Sequence, residues 1–473
     1  MSITQCFVFI LLQIPGFSLI ENKVTAFQET SGVRRAIVSI SVKDCESNNY
    51  VININGDKAI NSASTMKLIS TATALEILGQ NFTYSTELSY SGKIINNELN
   101  GNLYMSSNGD PSFGSSRWGS SHQKVLAEVM SSVKSVGINK VSGSIILMNT
   151  KFEDFDVSDT WAWNDLGNYY GATPYLFNFN ENKFSVYFSA GGSVDEPASI
   201  ISMNPQSDYW NIINKVTTGP AGSGDNVYIY STPLSNTILM KGTIPLRSKN
   251  FSVRGSIPNP PLVFGELLKE ELAKNGISVE GKVLLQSYQS AQLNMLYKAS
   301  SKSLTELLKS CNYSSINLLA DAFVKQVGYK LSGSYTYESG IIETKNFWKN
   351  RGVNVDALNM KDGSGLSPSG TITANVMCDI LGEMKRSSLF ETFTATIPQL
   401  GISGTVSRIG DGRNENMFVK SGSIDATRAY AGYFKTSTGK WMTFMIGVNR
   451  YDSDSSRKVN AFLREILVDL SKL

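Results

Sequence analysis

Histidine is nearly absent from this chain: His122 is the single example in 473 residues. A Ser-His-Asp triad or a histidine-ligated zinc would have to rest on it alone, so any serine chemistry here must use another base. It follows a serine-rich stretch, 115–121, and reads as a solvated loop residue. Cysteine is scarce as well. Cys6, Cys45, Cys311 and Cys378 form no C-x-x-C pair and no metal-ligand spacing, which leaves buried free thiols as the plain reading, with no metal and no other cofactor expected. If Cys6 departs with a leader, three thiols remain, which excludes a full disulfide framework although not a single bridge. Charge of one sign is also missing. Lys and Arg number 43 against 40 Asp and Glu, a net +3 with the signs mixed along the chain, so nucleic acid and anionic membrane surfaces are poor partners.

Long apolar runs are lacking too. Residues 6–20 are mostly apolar but broken by Gln13, Pro15 and Gly16, too short and interrupted for a membrane span. A secretory leader over residues 1–24 is expected, although no Lys or Arg precedes the run and no A-x-A site follows it. No later segment reaches about 18 uninterrupted apolar residues, so the mature chain is expected to be soluble.

What is present is a chain whose two ends resemble each other in character more than either resembles the middle. Residues 34–43 largely alternate apolar and polar positions, and 49–55 repeat the pattern less cleanly, which predicts a β-hairpin around 44–48. A mostly apolar run from Ser64 to Gly79 predicts a buried helix. From about residue 83 to 293 the chain turns to short β-type segments separated by Gly, Ser, Asn and Pro, which predicts one or two inserted β-rich domains. Helical periodicity returns at 304–327, 371–384 and 456–473, with strand-like runs at 416–419, 429–435 and 441–448. The expected division is a core in two parts, 25–84 and 295–473, with 85–294 folded separately between them.

With histidine all but absent, a lysine held close to a serine is the natural base. Ser and Lys at i and i+3 share one helix face, and Ser64 and Lys67 satisfy this at the start of the apolar helix. The spacing alone means little, since a chain of this length and composition should show roughly four S-x-x-K patterns by chance. Ser121/Lys124, Ser131/Lys134, Ser437/Lys440 and Ser455/Lys458 are such decoys, in polar or loop-like settings that would not desolvate a lysine. An ordinary lysine is protonated at neutral pH, so its site must disfavour charge by burial or by a second cation. Lys420 is a candidate for that cation, in the chain's only K-[ST]-G, Lys420-Ser421-Gly422, on a predicted strand. A third element, Ser315-Ile316-Asn317, lies within the helical region 304–327, where its polar groups would serve as caps or in a hydrogen-bonded site.

The ordered set Ser64/Lys67, Ser315/Asn317, Lys420/Ser421/Gly422 resembles the motifs of penicillin-recognising serine enzymes. Asp362-Gly363-Ser364-Gly365-Leu366-Ser367, Gly401-Ile402-Ser403-Gly404-Thr405, Asn108-Gly109-Asp110-Pro111 and the aromatic stretch from Trp161 to Ala172 are similar to the class C, type-4 penicillin-binding proteins, the D-alanyl-D-alanine carboxypeptidases/endopeptidases. The likeness spans about residues 30–470, and the long stretch between the first two motifs leaves room for the extra domains that family carries. Ser310-Cys311-Asn312 also reads Ser-x-Asn and stays open as the alternative to Ser315/Asn317.

The resemblance implies an α/β fold: a penicillin-binding-protein/β-lactamase-like transpeptidase core of helices packed on an antiparallel sheet, with inserted β-rich domains. It implies an exported, periplasmic or cell-envelope enzyme acting on peptidoglycan stem peptides, with β-lactams as covalent inhibitors. Ser64 would be the nucleophile and Lys67 the general base. Ser315 would relay a proton, Asn317 would hold substrate and Lys67, and Lys420, Ser421 and Gly422 would bind substrate, Lys420 with Ser421 meeting its terminal carboxylate. The backbone N–H groups of Ser64 and Ser423 would form the oxyanion hole. A β-lactamase or esterase on the same core, or a catalytically silent peptidoglycan-binding homologue, remains an alternative at this point.

Overall fold

The computed structural model of the chain describes residues 15–149, 157–233, 235–287, 292–410 and 414–473. Cys6 and residues 1–14 of the expected leader lie outside the described residues.

A five-stranded sheet joins the two ends of the chain, in the order Tyr50–Ile54, Ile37–Asp44, Trp441–Asn449, Thr427–Lys435, Met417–Ile424. Every pairing in it is antiparallel, with Ile40 opposite Ile446 and Lys420 opposite Ala431. Alternation along the strands sorts the side chains between two helical layers. Val38, Ile40, Val42, Phe444, Ile446 and Val448 pack on one face with helices Pro15–Gln28 and Ser456–Leu470, where the Phe27 and Phe462 rings stack at 3.9 Å. The opposite face carries the small Ser39, Ser41, Ala429, Ala431 and Gly447 beside the larger Met445 and Tyr433. A Cβ at Gly447 would come within 2.7 Å of Ile60, so these small residues let the second layer sit close.

The centre of that layer is helix Lys67–Leu78, buried from Lys67 through Leu75. Burial of Leu68, Ile69 and Leu75 stabilises the fold by roughly 1.5–3 kcal/mol each. The polar residues of this helix are accounted for: Thr71 and Thr73 donate to the carbonyls of Lys67 and Ile69 at 2.6 and 2.8 Å, and Ser70 donates to the Gly363 carbonyl at 2.6 Å. Helices Leu304–Ser314, Asn317–Ser332, Tyr337–Asn350 and Ala374–Lys385 complete the layer.

Residues between the two parts of the core build a second hydrophobic cluster of their own. Four sheets of three to five strands form it, together with helices His122–Ser135 and Pro260–Lys274. Neither helix was expected in a stretch read as β-rich. Ser121 caps the first of them, and Asn259 with Pro260 starts the second. The expected boundary at residue 294 cuts through strand Asn294–Ser300, which pairs antiparallel with Ser85–Tyr90 and so closes the inserted sheet. The boundary at residue 24 likewise falls inside helix Pro15–Gln28, whose Ile20 and Val24 are core residues. His122 is corrected from a solvated loop residue to a buried one at the start of its helix, where desolvation lowers its pKa against a hydrogen bond with Asn180. Cys45, Cys311 and Cys378 are buried free thiols.

Candidate active site

Ser64 sits in a short 3-10 turn, Ala63–Met66, that runs into the buried helix. The turn is entered through Ala63 at φ +44°, in the left-handed region that a residue with a Cβ seldom occupies. Asn61 holds that conformation, its Oδ1 accepting from Ala63 N at 2.7 Å. Asn449, at the end of a sheet strand, accepts in turn from Asn61 N at 2.7 Å. The serine is thereby set at a fixed height beside the sheet, half-buried, with Lys67 one turn on.

Lys67 is wholly buried, and its Nζ has three neighbours: Ser64 Oγ at 2.8 Å, Asn317 Oδ1 at 2.7 Å and the Ser364 carbonyl at 2.7 Å. Asn317 Nδ2 donates to the Tyr170 carbonyl at 2.8 Å, which fixes the orientation of that amide. Two of the three neighbours can only accept, so they take two N–H bonds of the amine. A neutral Lys67 then has its lone pair left for the Ser64 hydroxyl. Burial lowers its pKa, opposed by the negative potential of Cys311, Asp321 and Asp362. Asp321 itself is pushed up to about 8, first by burial and then by Asp362.

Ser315 is corrected from a helix-interior residue to the break between two helices. It stands at φ +54° as the C-cap of Leu304–Ser314, immediately before Asn317 opens the next helix. The break turns its hydroxyl to Lys420 Nζ, 2.9 Å away. Lys420 lies on the edge strand, wholly buried, and also donates to the Ser421 carbonyl at 2.8 Å. Its pKa is driven well down by burial and then by Lys67. Burial is the leading cause at both amines, and two ammonium groups so placed would repel each other.

Gly422 brings the edge strand against the serine turn, since a Cβ there would lie 2.6 Å from the Ser62 carbonyl and 3.0 Å from Ser64 N. Ser423 follows on the same strand and, with Ser64 and Ser315, lines a cleft of two lobes. The larger, about 720 Å³, opens toward Asp165, Tyr169 and Tyr170 of the inserted region. The smaller, about 330 Å³, lies beyond Ser421 and Thr405, whose hydroxyls are 2.7 Å apart. Neither lobe is lined by Lys420 or Gly422. Ser310 and Asn312 stay outside: Asn312 is fully buried and donates to Thr71 and Thr396 hydroxyls at 3.3 Å.

Reasoning from side chains missed the carbonyls of Ser364 and Tyr170. The turn that carries Ser364 is held by Asp362, whose carboxylate accepts from Gly365 N at 2.6 Å and Ser367 N at 2.7 Å, and Trp161 Nε1 of the inserted region donates to the same carboxylate at 2.7 Å. The sequence signal was the Asp362–Ser367 run itself, paired with the Trp161 stretch.

A model of the D-Ala-D-Ala carboxypeptidase 3 (S13) family matches residues 21–469. The chain belongs to that family. It is similar to the D-alanyl-D-alanine carboxypeptidase DacB of Haemophilus influenzae, 26% identical over 88% of this chain and 86% of the relative. A D-alanyl-D-alanine carboxypeptidase of Actinomadura sp. is also 26% identical, over 89% of this chain and 79% of its own length. The crystal structure of penicillin binding protein 4 from H. influenzae superposes with a TM-score of 0.81 at 24% identity, covering 95% of this chain and 99% of that one. The same protein complexed with a β-lactam gives 0.77 at 22% identity. These likenesses establish the fold: a penicillin-binding-protein core, helices on an antiparallel sheet, with further sheets inserted. Among the described residues no helix is long and apolar enough to cross a membrane.

Proposed function

We propose that this member of the family is a serine peptidase of peptidoglycan, cleaving stem peptides that end in D-Ala-D-Ala, or the cross-bridges made from them, through an acyl-enzyme on Ser64. The observation that carries this reading is the Lys67 amine, buried, 2.8 Å from Ser64 Oγ, with two of its N–H bonds directed to acceptors. Ser64 attacks the carbonyl of the penultimate D-alanine while its proton passes to Lys67. The N–H groups of Ser64 and Ser423 receive the oxyanion, a donor of this kind contributing about 3 kcal/mol. As the C–N bond breaks, Ser315, which accepts from Lys420, relays to the departing amine the proton that Lys67 took from Ser64, leaving Lys67 neutral and Ser315 a hydroxyl again, and water then releases the acyl group.

Asn317 orients Lys67 and the substrate amide, and Gly422 provides the close approach that sets the oxyanion hole. A β-lactam offers the same carbonyl in a strained ring and acylates the same serine, in keeping with the β-lactam complex of the H. influenzae protein. The substrate places the enzyme outside the cytoplasm, in the periplasm or cell envelope.

Labelled penicillin tests the reading. Wild type is labelled at Ser64 and Ser64→Ala is not; a folded wild type that takes no label would overturn it. Digestion of purified muropeptides then separates the two activities by mass, loss of one alanine marking a carboxypeptidase and conversion of dimers to monomers an endopeptidase.

A further inference from the structure

Two buried carboxyl groups, Asp321 and Asp362, act on Lys67, and the chain provides for them unequally. Asp362 accepts three N–H bonds, from Gly365, Ser367 and Trp161. Asp321 stands one turn beyond Asn317 in helix Asn317–Ser332, wholly buried, and its Oδ1 accepts from Gly363 N at 2.7 Å. Among the described residues no N–H group reaches its Oδ2. The Ser364 hydroxyl is the other close neighbour of this carboxyl, and a hydroxyl can accept from an acid as readily as it donates to a carboxylate. An interior carboxylate is stable where several donors meet it, and one that lacks them takes up a proton. The charged groups facing Asp321 are Lys67, from the serine helix, and Asp362, from the turn 362–367. The Cys311 thiol, on the neighbouring helix, is pushed up to about 12 by burial and stays neutral.

We propose that Asp321 is a positioning residue that works as a neutral carboxylic acid. It holds Gly363, and with it the Ser364 carbonyl that orients the Lys67 amine, without placing a second anion beside that amine. A second anion would favour the ammonium form and disable the base before any substrate arrived. Asp362 is then the one counter-ion, among the described residues, for the charge that Lys67 acquires on taking the Ser64 proton. The division of two nearby carboxyl groups into a charged and a neutral one follows from their unlike surroundings. The proposal rests on the peptidase reading above for what Lys67 does, and it names the protonation state on which that base depends.

Infrared difference spectra of wild type against Asp321→Asn read the carboxyl directly. At neutral pH the carbonyl stretch of a protonated acid should be present in wild type and missing from the variant; a carboxylate band lost in its place overturns the proposal. Asp321→Ala, which leaves Gly363 N without its acceptor, should slow penicillin labelling by roughly 10- to 100-fold, and Asp321→Asn, which keeps an acceptor oxygen and cannot ionise, should restore most of that loss. An Asn variant as slow as the Ala variant is adverse. In Asp321→Asn the acid limb of the labelling rate should stay within about half a pH unit of wild type. A limb displaced downward by more than about one unit would mean that an anion had been removed from beside Lys67, and this too overturns the proposal. Should Asp321→Ala fail to fold, the infrared band and the acid limb of Asp321→Asn decide the matter without it. A wild type that shows the protonated band but takes no label leaves the state of Asp321 standing and removes the peptidase reading, whereas labelling with an ionised Asp321 does the reverse.

Discussion

Ser121 and Lys124 share with Ser64 and Lys67 both a spacing and a place at the start of a helix. Ser121 is occupied as an N-cap, accepting from Lys124 N at 3.1 Å, and Lys124 Nζ lies out in solvent, 4.0 Å from Glu128. In the other pair the lysine has no contact with water, and its neighbours are a hydroxyl, an amide oxygen and a carbonyl. Burial among uncharged acceptors holds the Lys67 amine toward its neutral form, and nothing comparable covers Lys124. Two residues at i and i+3 therefore specify proximity only. The chemistry comes from what the rest of the chain, 250 residues away at Asn317, packs over them.

The contrast can be broken most directly at the lysines. Lys67→Met should cut the second-order rate of penicillin labelling by roughly 10²- to 10⁴-fold, the usual worth of a general base, and Lys124→Met should leave it within about twofold. Equal effects at the two positions would mean that burial is not the distinguishing property. A smaller and more instructive change is Asn317→Asp, which sets a carboxylate where the amide oxygen now lies 2.7 Å from Lys67 Nζ. The added negative charge raises the lysine pKa, and below that pKa Lys67 is an ammonium that cannot receive the Ser64 proton. Activity in the variant should drop at neutral pH, roughly tenfold for each unit of pKa gained, and recover as the pH is raised. The pH profile of kcat/KM reads this; in wild type its acid limb should lie below the ordinary lysine range because burial lowers Lys67. The smallest effect belongs to Ser121→Ala, which should lose about 1 kcal/mol of stability with its cap, seen as a lower Tm at unchanged acylation.

Much of the central sheet could be read from the chain because its alternation is clean. Val38, Ile40 and Val42 share a face, and the turn at 436–440 joins two strands that the structure also joins. Ser64 and Lys67 were legible as candidates from their spacing at the head of an apolar helix, and Lys420 from the chain's only K-[ST]-G. What escaped were features made by other parts of the chain. The break at Ser315 depends on a left-handed backbone that a serine gives no notice of, and the carbonyls of Ser364 and Tyr170 belong to residues whose side chains are irrelevant. The burial of His122 follows from a helix whose start, Ser121, had been taken as part of a loop.

The pairing of Ile37–Asp44 with Trp441–Asn449 also bears on how the molecule comes into being. At a synthesis rate of about 5–20 residues per second, the roughly 400 residues between these partners take something like 20 to 80 seconds to make, and until then the first hairpin has no neighbour to complete its sheet. The inserted region, whose hydrophobic cluster is drawn from its own span, can assemble during that wait, before Asp362 and Asn317 are made to meet Trp161 and Tyr170. Catalytic competence is thus withheld from the nascent chain until its last strands have emerged, and a fragment cut short before residue 417 would contain the serine and its base but no edge strand to close the cleft over them.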